Sequence, residues 1–378
     1  ERLGDPMAFW IGLAIFILAS IVAERLLPPQ YKKFMPMLVM VVLTFFGLFR
    51  YEIGTDYDWY IVLFDTVKID DLYPEPTFLL LVEFLHQFHF SYQVMFIAYE
   101  LPIMLLLWSG IRYYTKDTEV QILIVALYYC LQYFFSLNGI RQGLSMVLIF
   151  WGYRYCLERS LWKYLLVVAL AASMHYSAVV AAVLYFVPNR VFSWYKYAIV
   201  FILTFIVFKL NIVLAFLSAL FGVLQVGGRY LNYLSDVDSV KMTGLYMFVQ
   251  FGLFSIARIA IMELKPQYKG LLNLWFLGIL GHFLFSFSLP ITRLTKYFEY
   301  FIILIMPYTI QYLNSNFLLQ VKDKIYNFKW GYIILLFYMY TFLNMMSGIP
   351  QDYYSNWRNP YPSSMNIEYQ FNFKMFDR

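Results

Sequence analysis

Charge is what this chain has least of. Of its 378 residues only 13% are charged and 62% are hydrophobic, whereas soluble domains carry about 25% charged residues. Cysteine is almost missing too: Cys130 and Cys156 are the only two, both inside apolar runs, which excludes a disulfide framework and a cysteine metal cluster. No P-loop, dinucleotide fingerprint, G-x-S-x-G elbow or H-E-x-x-H pair is present, so the common nucleotide, serine-hydrolase and zinc-protease chemistries have no footing. The internal repeat common in transporters is not evident. No long polar domain or low-complexity linker interrupts the chain, and nothing calls for a nucleic-acid partner. The chain opens on Glu1 rather than Met, which points to a start inside a longer gene product, and no signal peptide is visible.

What is present is a succession of apolar stretches near membrane-spanning length, which predicts an all-α polytopic membrane protein. The stretches are 7–24, 34–49, 93–111, 119–136, 140–157, 161–174, 176–187, 197–217, 242–262, 271–289, 297–313 and 330–347, about twelve spans in a single integral membrane domain over 1–378. Alternate short loops hold Arg25, Lys32, Lys33; Arg112, Lys116; Arg154, Arg159, Lys163; Arg190, Lys196; Lys265, Lys269; and Lys322, Lys324, Lys329, more than half of the 28 basic residues. The positive-inside rule makes that face cytoplasmic and puts both termini outside. The segment "TFLLLVEFLHQFHF" (77–90) is too short to cross comfortably and is expected as a re-entrant or surface helix, with a tilted thirteenth span as the alternative. The short runs 161–174 and 176–187 meet at "SMHYS", which suggests a turn at His175, at a depth where irregular backbone needs protein or a water-filled cavity around it.

On this topology the outer face collects polar residues, and its longest loops are 50–92 and the tail 348–378. "FRYEIGTDYDWY" supplies Arg50, Asp56, Tyr57, Asp58, Trp59 and Tyr60; "SLNGIRQG" supplies Asn138, Arg141 and Gln142; "GGRYLNYLSDVD" supplies Arg229. "SLPITRLTKYFEY" adds Arg293, Lys296, Tyr297 and Glu299, and "YYSNWRNPYPS" adds Trp357. Arginines at the non-cytoplasmic edge run against the usual bias. One reading makes each a helix-end anchor reaching the headgroups. The other takes the guanidinium groups as bidentate phosphate ligands beside aromatic faces and amides suited to sugars, a combination fitting a lipid-linked sugar pyrophosphate at the outer leaflet. His175 is likewise either a hydrogen-bonded structural residue or a proton acceptor or phosphate ligand. Asp56-x-Asp58 has the look of a metal-binding pair for nucleotide sugars, but those donors are cytoplasmic and this loop faces out. Asp56 therefore reads better as a sugar-hydroxyl ligand or a base, and Asp58 as solvated. His86 and His89 lack an obvious third ligand, so no metal is expected.

These residues carry a resemblance. "FRYEIGTDYDWY" followed by "EPTF", then "NGIRQGLSMVLIF", "AASMHYSAVV", "TRLTKYFEY" and a terminal "NPYP" resemble, in order and spacing over roughly 45–360, the EpsG family, Wzy-type polymerases of bacterial O-antigen, capsule or exopolysaccharide. The resemblance implies a GT-C-like membrane glycosyltransferase of the bacterial inner (plasma) membrane with its site facing the periplasm or exterior. It implies undecaprenyl-pyrophosphate-linked oligosaccharide as both donor and acceptor, undecaprenyl pyrophosphate as leaving group, and no cofactor or metal. A flippase and a chain-length regulator are the implied partners. Under it Arg141, Arg293, Arg50 and Lys296 take the pyrophosphate. His175, with Asp56 as runner-up, takes the hydroxyl proton, and Arg293 also belongs to the catalytic set. Tyr57, Tyr60, Asn138, Gln142, Arg229, Tyr297 and Trp357 orient sugars or support the arginines. The rival expectations are an O-antigen-ligase-like transferase of the same donor and a flippase or transporter of the lipid-linked unit.

Overall fold

The computed structural model describes residues 7–51, 53–54, 56–71, 73–223, 244–316, 319–321, 324–326, 329–347 and 370–371. They are almost entirely helical. Strand is confined to two short antiparallel pairs, Arg50–Tyr51 with Gln370–Phe371 and Leu319–Val321 with Lys324–Tyr326. Among the described residues five helices are long and apolar enough to cross a membrane: Ala8–Leu26, Pro29–Leu48, Tyr92–Tyr114, Thr118–Asn138 and Met247–Leu264. A sixth is formed if Trp194–Lys209 and Ile212–Leu220 count as one broken span, bent by 62°. The bend falls where the sequence predicts one continuous span, and Asn211 at the break takes φ +51°, a left-handed conformation asparagine tolerates better than most residues. The chain is a polytopic helical membrane protein.

It divides into two compact units, Glu1–Val179 with Phe317–Arg378, and Val180–Asn316. In the first unit the Thr118–Asn138 helix is the centre, 83% buried, while Pro29–Leu48 is only 28% buried and turns most of its apolar surface outward, as a lipid-facing helix should. The helix starts on Asp117, whose carboxylate accepts from the Glu119 and Val120 amides. It loosens into a π-helical turn, Tyr129–Tyr133. That turn aims two hydroxyls sideways: Tyr129 donates to the Trp10 carbonyl and Tyr133 to the Leu43 carbonyl, both at 2.7 Å. Tyr114 likewise donates to the Phe150 carbonyl at 2.7 Å. Part of the tyrosine excess thus serves as cross-links between helices, where lipid-like surroundings give apolar faces no reason to choose partners. At the other end of the bundle Arg25 pairs with Glu119 at 2.6 Å and lies over the Tyr332 ring, tying three helix ends together.

Pro76–Gln87 is a separate helix over most of the segment 77–90 expected as a re-entrant or surface helix. Twelve residues reach about 18 Å at 1.5 Å each, well short of a hydrocarbon core of about 30 Å. Phe78, Leu79, Val82 and Leu85 are buried, against Tyr92–Tyr114 and Leu161–Met174, while Leu80, Phe84 and Phe88 stay exposed. The break at His175 is a single extended residue (φ −156°, ψ 118°) between Leu161–Met174 and the 3₁₀ helix Tyr176–Phe186.

In the second unit Gly244–Leu264 packs on Lys269–Leu284 and Ile302–Asn316, and Lys269–Leu284 packs on Trp194–Lys209. Asn273 pins the entry of the unit: it accepts from Tyr197 at 2.6 Å and donates to the Pro188 and Arg190 carbonyls at 2.7 and 2.8 Å.

Candidate active site

Glu75 stands directly before the Pro76–Gln87 helix, where an acceptor side chain ordinarily caps the first turn. Pro76 has no N–H to satisfy, and the Glu75 carboxylate makes no cap bond. It turns inward instead, 1% exposed. One oxygen meets His175 Nδ1 at 2.6 Å and accepts from the Tyr176 amide at 3.2 Å. The other pairs with Arg141 Nη1. Arg141 leaves the first turn of Ile140–Gly152, donates from Nη2 to the Tyr73 hydroxyl at 3.1 Å, and lies over the rings of Tyr60, Tyr73 and Phe78 at 5.3–5.6 Å. Its Nε has no hydrogen-bond partner among the described residues. Thr77 Oγ1 donates to the Ser173 carbonyl, fastening the same helix start to the end of Leu161–Met174.

The electrostatics follow from this geometry. Burial alone would push the Glu75 carboxyl up; the His175 hydrogen bond and the Arg141 charge outweigh it and hold the carboxyl below the usual carboxylate range. A carboxylate can only accept, so the neutral His175 ring carries its hydrogen on Nδ1 and a lone pair on Nε2. The imidazole edge is 27% exposed, while Arg141 is 6% exposed. One carboxylate therefore orients a proton acceptor and a guanidinium together.

The loop and the "NGIRQ" turn, predicted to belong together, are joined. Asn138 Oδ1 accepts from the Asp56 amide at 3.0 Å. Gly54 passes Asn138 at φ +101°, where an added Cβ would fall 2.8 Å from Asn138 Oδ1. Gly54→Ala is therefore expected to cost about 1–2 kcal/mol through the left-handed backbone alone, seen as a lower thermal midpoint in detergent. Asn138 is thereby a loop fastener, and Gln142 is buried beside the arginine.

Other predicted site residues are placed differently. Arg50 is fully buried, donates to the Gly47 carbonyl at 3.1 Å, lies 4.6 Å over Phe96, and is electrostatically coupled to the buried Glu100. Tyr57 stacks on Phe96 in the core at 4.7 Å, and Tyr60 is buried beneath Arg141. Trp59, by contrast, is exposed. Asp56 is partly exposed. In the second unit Lys296 pairs with Glu299 at 2.9 Å, Arg293 opens the 3₁₀ turn Arg293–Thr295 immediately before it, and Tyr297 is fully buried. Arg229 and Trp357 lie outside the described residues. The sequence reading did not include Glu75, Tyr73 or His282 among site residues. The available signal for Glu75 was a carboxylate standing ahead of a proline-started apolar helix, a place where only a partner could keep it charged.

No curated protein and no solved structure matches the chain. A family model does, over residues 33–359, most of its length and every motif described above from "FRYEIGTDYDWY" to "TRLTKYFEY". On that match the chain belongs to the EpsG family, which is associated with Wzy-type polysaccharide polymerases.

Proposed function

We propose that this EpsG-family membrane protein polymerises undecaprenyl-pyrophosphate-linked oligosaccharide repeat units at the outer face of the bacterial plasma membrane. The observation that carries the reading is the Glu75 carboxylate held between His175 and Arg141. A hydroxyl at the non-reducing end of one unit attacks the anomeric carbon of the growing chain. The new glycosidic C–O bond forms as the bond to pyrophosphate breaks, and undecaprenyl pyrophosphate leaves with the electron pair. The hydroxyl proton passes to His175 Nε2, with Glu75 stabilising the imidazolium. Arg141 meets the charge growing on the leaving pyrophosphate, where a preplaced cation lowers the barrier selectively.

Arg293 and Lys296 are phosphate ligands in the second unit. Arg50, buried beside Glu100, supports the loop that Asn138 fastens, and Asp56 is the reserve acceptor for the hydroxyl proton. Trp59 offers an exposed ring to sugar. The reading includes about twelve spans in a GT-C-like arrangement, both termini outside, a flippase supplying units and a chain-length regulator acting on the product. The basic residues gathered in alternate short loops support the outward site, and the concentration of polar groups at helix ends disfavours a transporter, which would string them through the bundle.

The test is reconstitution. Purified protein with a lipid-pyrophosphate-linked repeat unit from its own host is expected to give a product ladder, and His175→Ala to slow it by about 100-fold or more, the usual worth of a positioned base. A wild-type ladder with His175→Ala near normal moves the base to Asp56. Lipid-unit movement across vesicles with no ladder means a transporter.

A further inference from the structure

Ile140–Gly152 carries Arg141 in its first turn and Trp151 in its last, and it packs along Tyr92–Tyr114. At the Trp151 end, away from Glu75, the two helices build a basic, aromatic pocket. Trp151 Nε1 donates to Ser109 Oγ at 3.2 Å. Arg154 Nε donates to the Trp151 carbonyl at 2.8 Å, and its guanidinium lies over the Trp151 and Tyr113 rings at 4.2 and 4.7 Å. Ser109 and Tyr113 are in turn walls of an open pocket of about 350 Å³, completed by Leu105, Trp108, Arg112 and Lys116. Residues 105, 108, 109 and 112 fall three or four apart and so share one face of the helix. Lys116 follows the helix end and donates from Nζ to the Arg112 carbonyl, one of those the last turn leaves open.

We propose that this pocket binds the headgroup phosphate of an anionic glycerophospholipid, whose acyl chains lie along Leu105 and Leu101. The Arg112 side chain is exposed and has no hydrogen-bond or ion-pair partner among the described residues, so its whole fork of donors is open to phosphate oxygens. Lys116 has three N–H donors and spends one on the Arg112 carbonyl. Arg154 adds a third cation behind the Tyr113 ring, and its Nη2 has no hydrogen-bond partner among the described residues. Against these stand Glu158, which accepts from the Tyr113 hydroxyl at 3.3 Å, and Asp117, which caps the next helix. A lipid fits better than a soluble phosphate because the pocket opens onto apolar surface. Leu101, Leu105 and Ser109 follow at four-residue spacing, and both leucines are exposed. Trp108 is of the ring type that settles at headgroup level, and a basic pocket between membrane helices suits an anionic headgroup. The inference needs only that the chain spans a membrane, and it stands apart from the polymerase reading.

The experiment is native mass spectrometry of the full chain, titrated with dioleoyl phosphatidylglycerol and separately with dioleoyl phosphatidylcholine. Wild type is expected to hold one phosphatidylglycerol under conditions that strip phosphatidylcholine. Arg112→Gln combined with Lys116→Gln is expected to weaken that binding about 30-fold, the worth of two basic residues at a membrane surface. Lys265→Gln combined with Lys269→Gln, on another basic loop, is expected to leave it unchanged. Equal retention of both lipids, wild-type binding by the 112/116 variant, or an equal loss in the 265/269 variant would overturn the site. Ser109→Phe leaves every charge in place and fills the pocket, so it is expected to lower phosphatidylglycerol retention too; unchanged retention there overturns the proposal even if the 112/116 variant fails to fold. Glycerol 1-phosphate, which has no acyl chains, is expected not to be retained. Retention as strong as the lipid's means a soluble phosphate site and overturns the lipid assignment.

Discussion

Arg141→Ala is expected to abolish most polymer formation. Removing a preplaced group from the charge that develops in a transition state costs about 100- to 1,000-fold in turnover. Here the loss has a second part. Arg141 is the ion-pair partner of a carboxylate that is almost fully buried, and stranding one member of a buried pair costs about 3–5 kcal/mol. Two variants separate the parts. Arg141→Lys keeps the charge but loses the fork that lets one guanidinium serve Glu75, Tyr73 and a phosphate together, so it folds and turns over at an intermediate rate. Arg141→Ala combined with Glu75→Gln removes the stranded charge and regains thermal stability without regaining activity. Thermal unfolding in detergent beside ladder formation reads both. A double variant that recovers activity would make the arginine purely structural.

Glu75→Gln is the second large effect. The amide keeps the shape but no longer holds the imidazole hydrogen on Nδ1 or stabilises the imidazolium, and the expected fall in turnover is about 100- to 10,000-fold. The substitution also has a signature in stability. Because the folded carboxyl titrates below its ordinary range, its charge stabilises the fold at any pH above the unfolded value of about 4.3. That contribution is lost as pH falls through the lower folded value. The gap between the thermal midpoints of wild type and Glu75→Gln should therefore persist from neutrality down to about pH 5 and close only in more acid solution. A gap that closes between pH 6 and 7 would mean that the carboxyl is not held charged by His175 and Arg141.

Much of this was legible in the residues, and the reasons differ by element. Long apolar stretches announce their helices because a membrane leaves the backbone few alternatives, and Thr118–Asn138 and Tyr92–Tyr114 fall within a few residues of the predicted bounds. The pairing of "GTDYDWY" with "NGIRQ" was also foreseeable, since each is a compact polar motif in surroundings that give polar groups no other company. Exposure was not legible. Arg50, Tyr57 and Tyr297 look like outer-face ligands in one dimension, yet each is buried, the first two against the Phe96 ring. The partners of the histidines were hidden for a different reason. Glu75 lies a hundred residues before His175, and Glu299 seventeen after His282, so neither pair has a spacing that periodicity can report. The break at Asn211 was missed because hydropathy is blind to a turn made inside an apolar run.

The central claim is that the Glu75–Arg141–His175 cluster transfers glycosyl groups from a lipid pyrophosphate. Phosphorus NMR of the purified protein turning over its own lipid-linked repeat unit tests it most directly, with bonds formed counted from the same sample. The account predicts one undecaprenyl pyrophosphate released for each glycosidic bond made, with release and bond formation falling together in Arg141→Ala and Glu75→Gln. Bonds formed without release of lipid pyrophosphate, or a Glu75→Gln protein that releases it at the wild-type rate, would contradict the account.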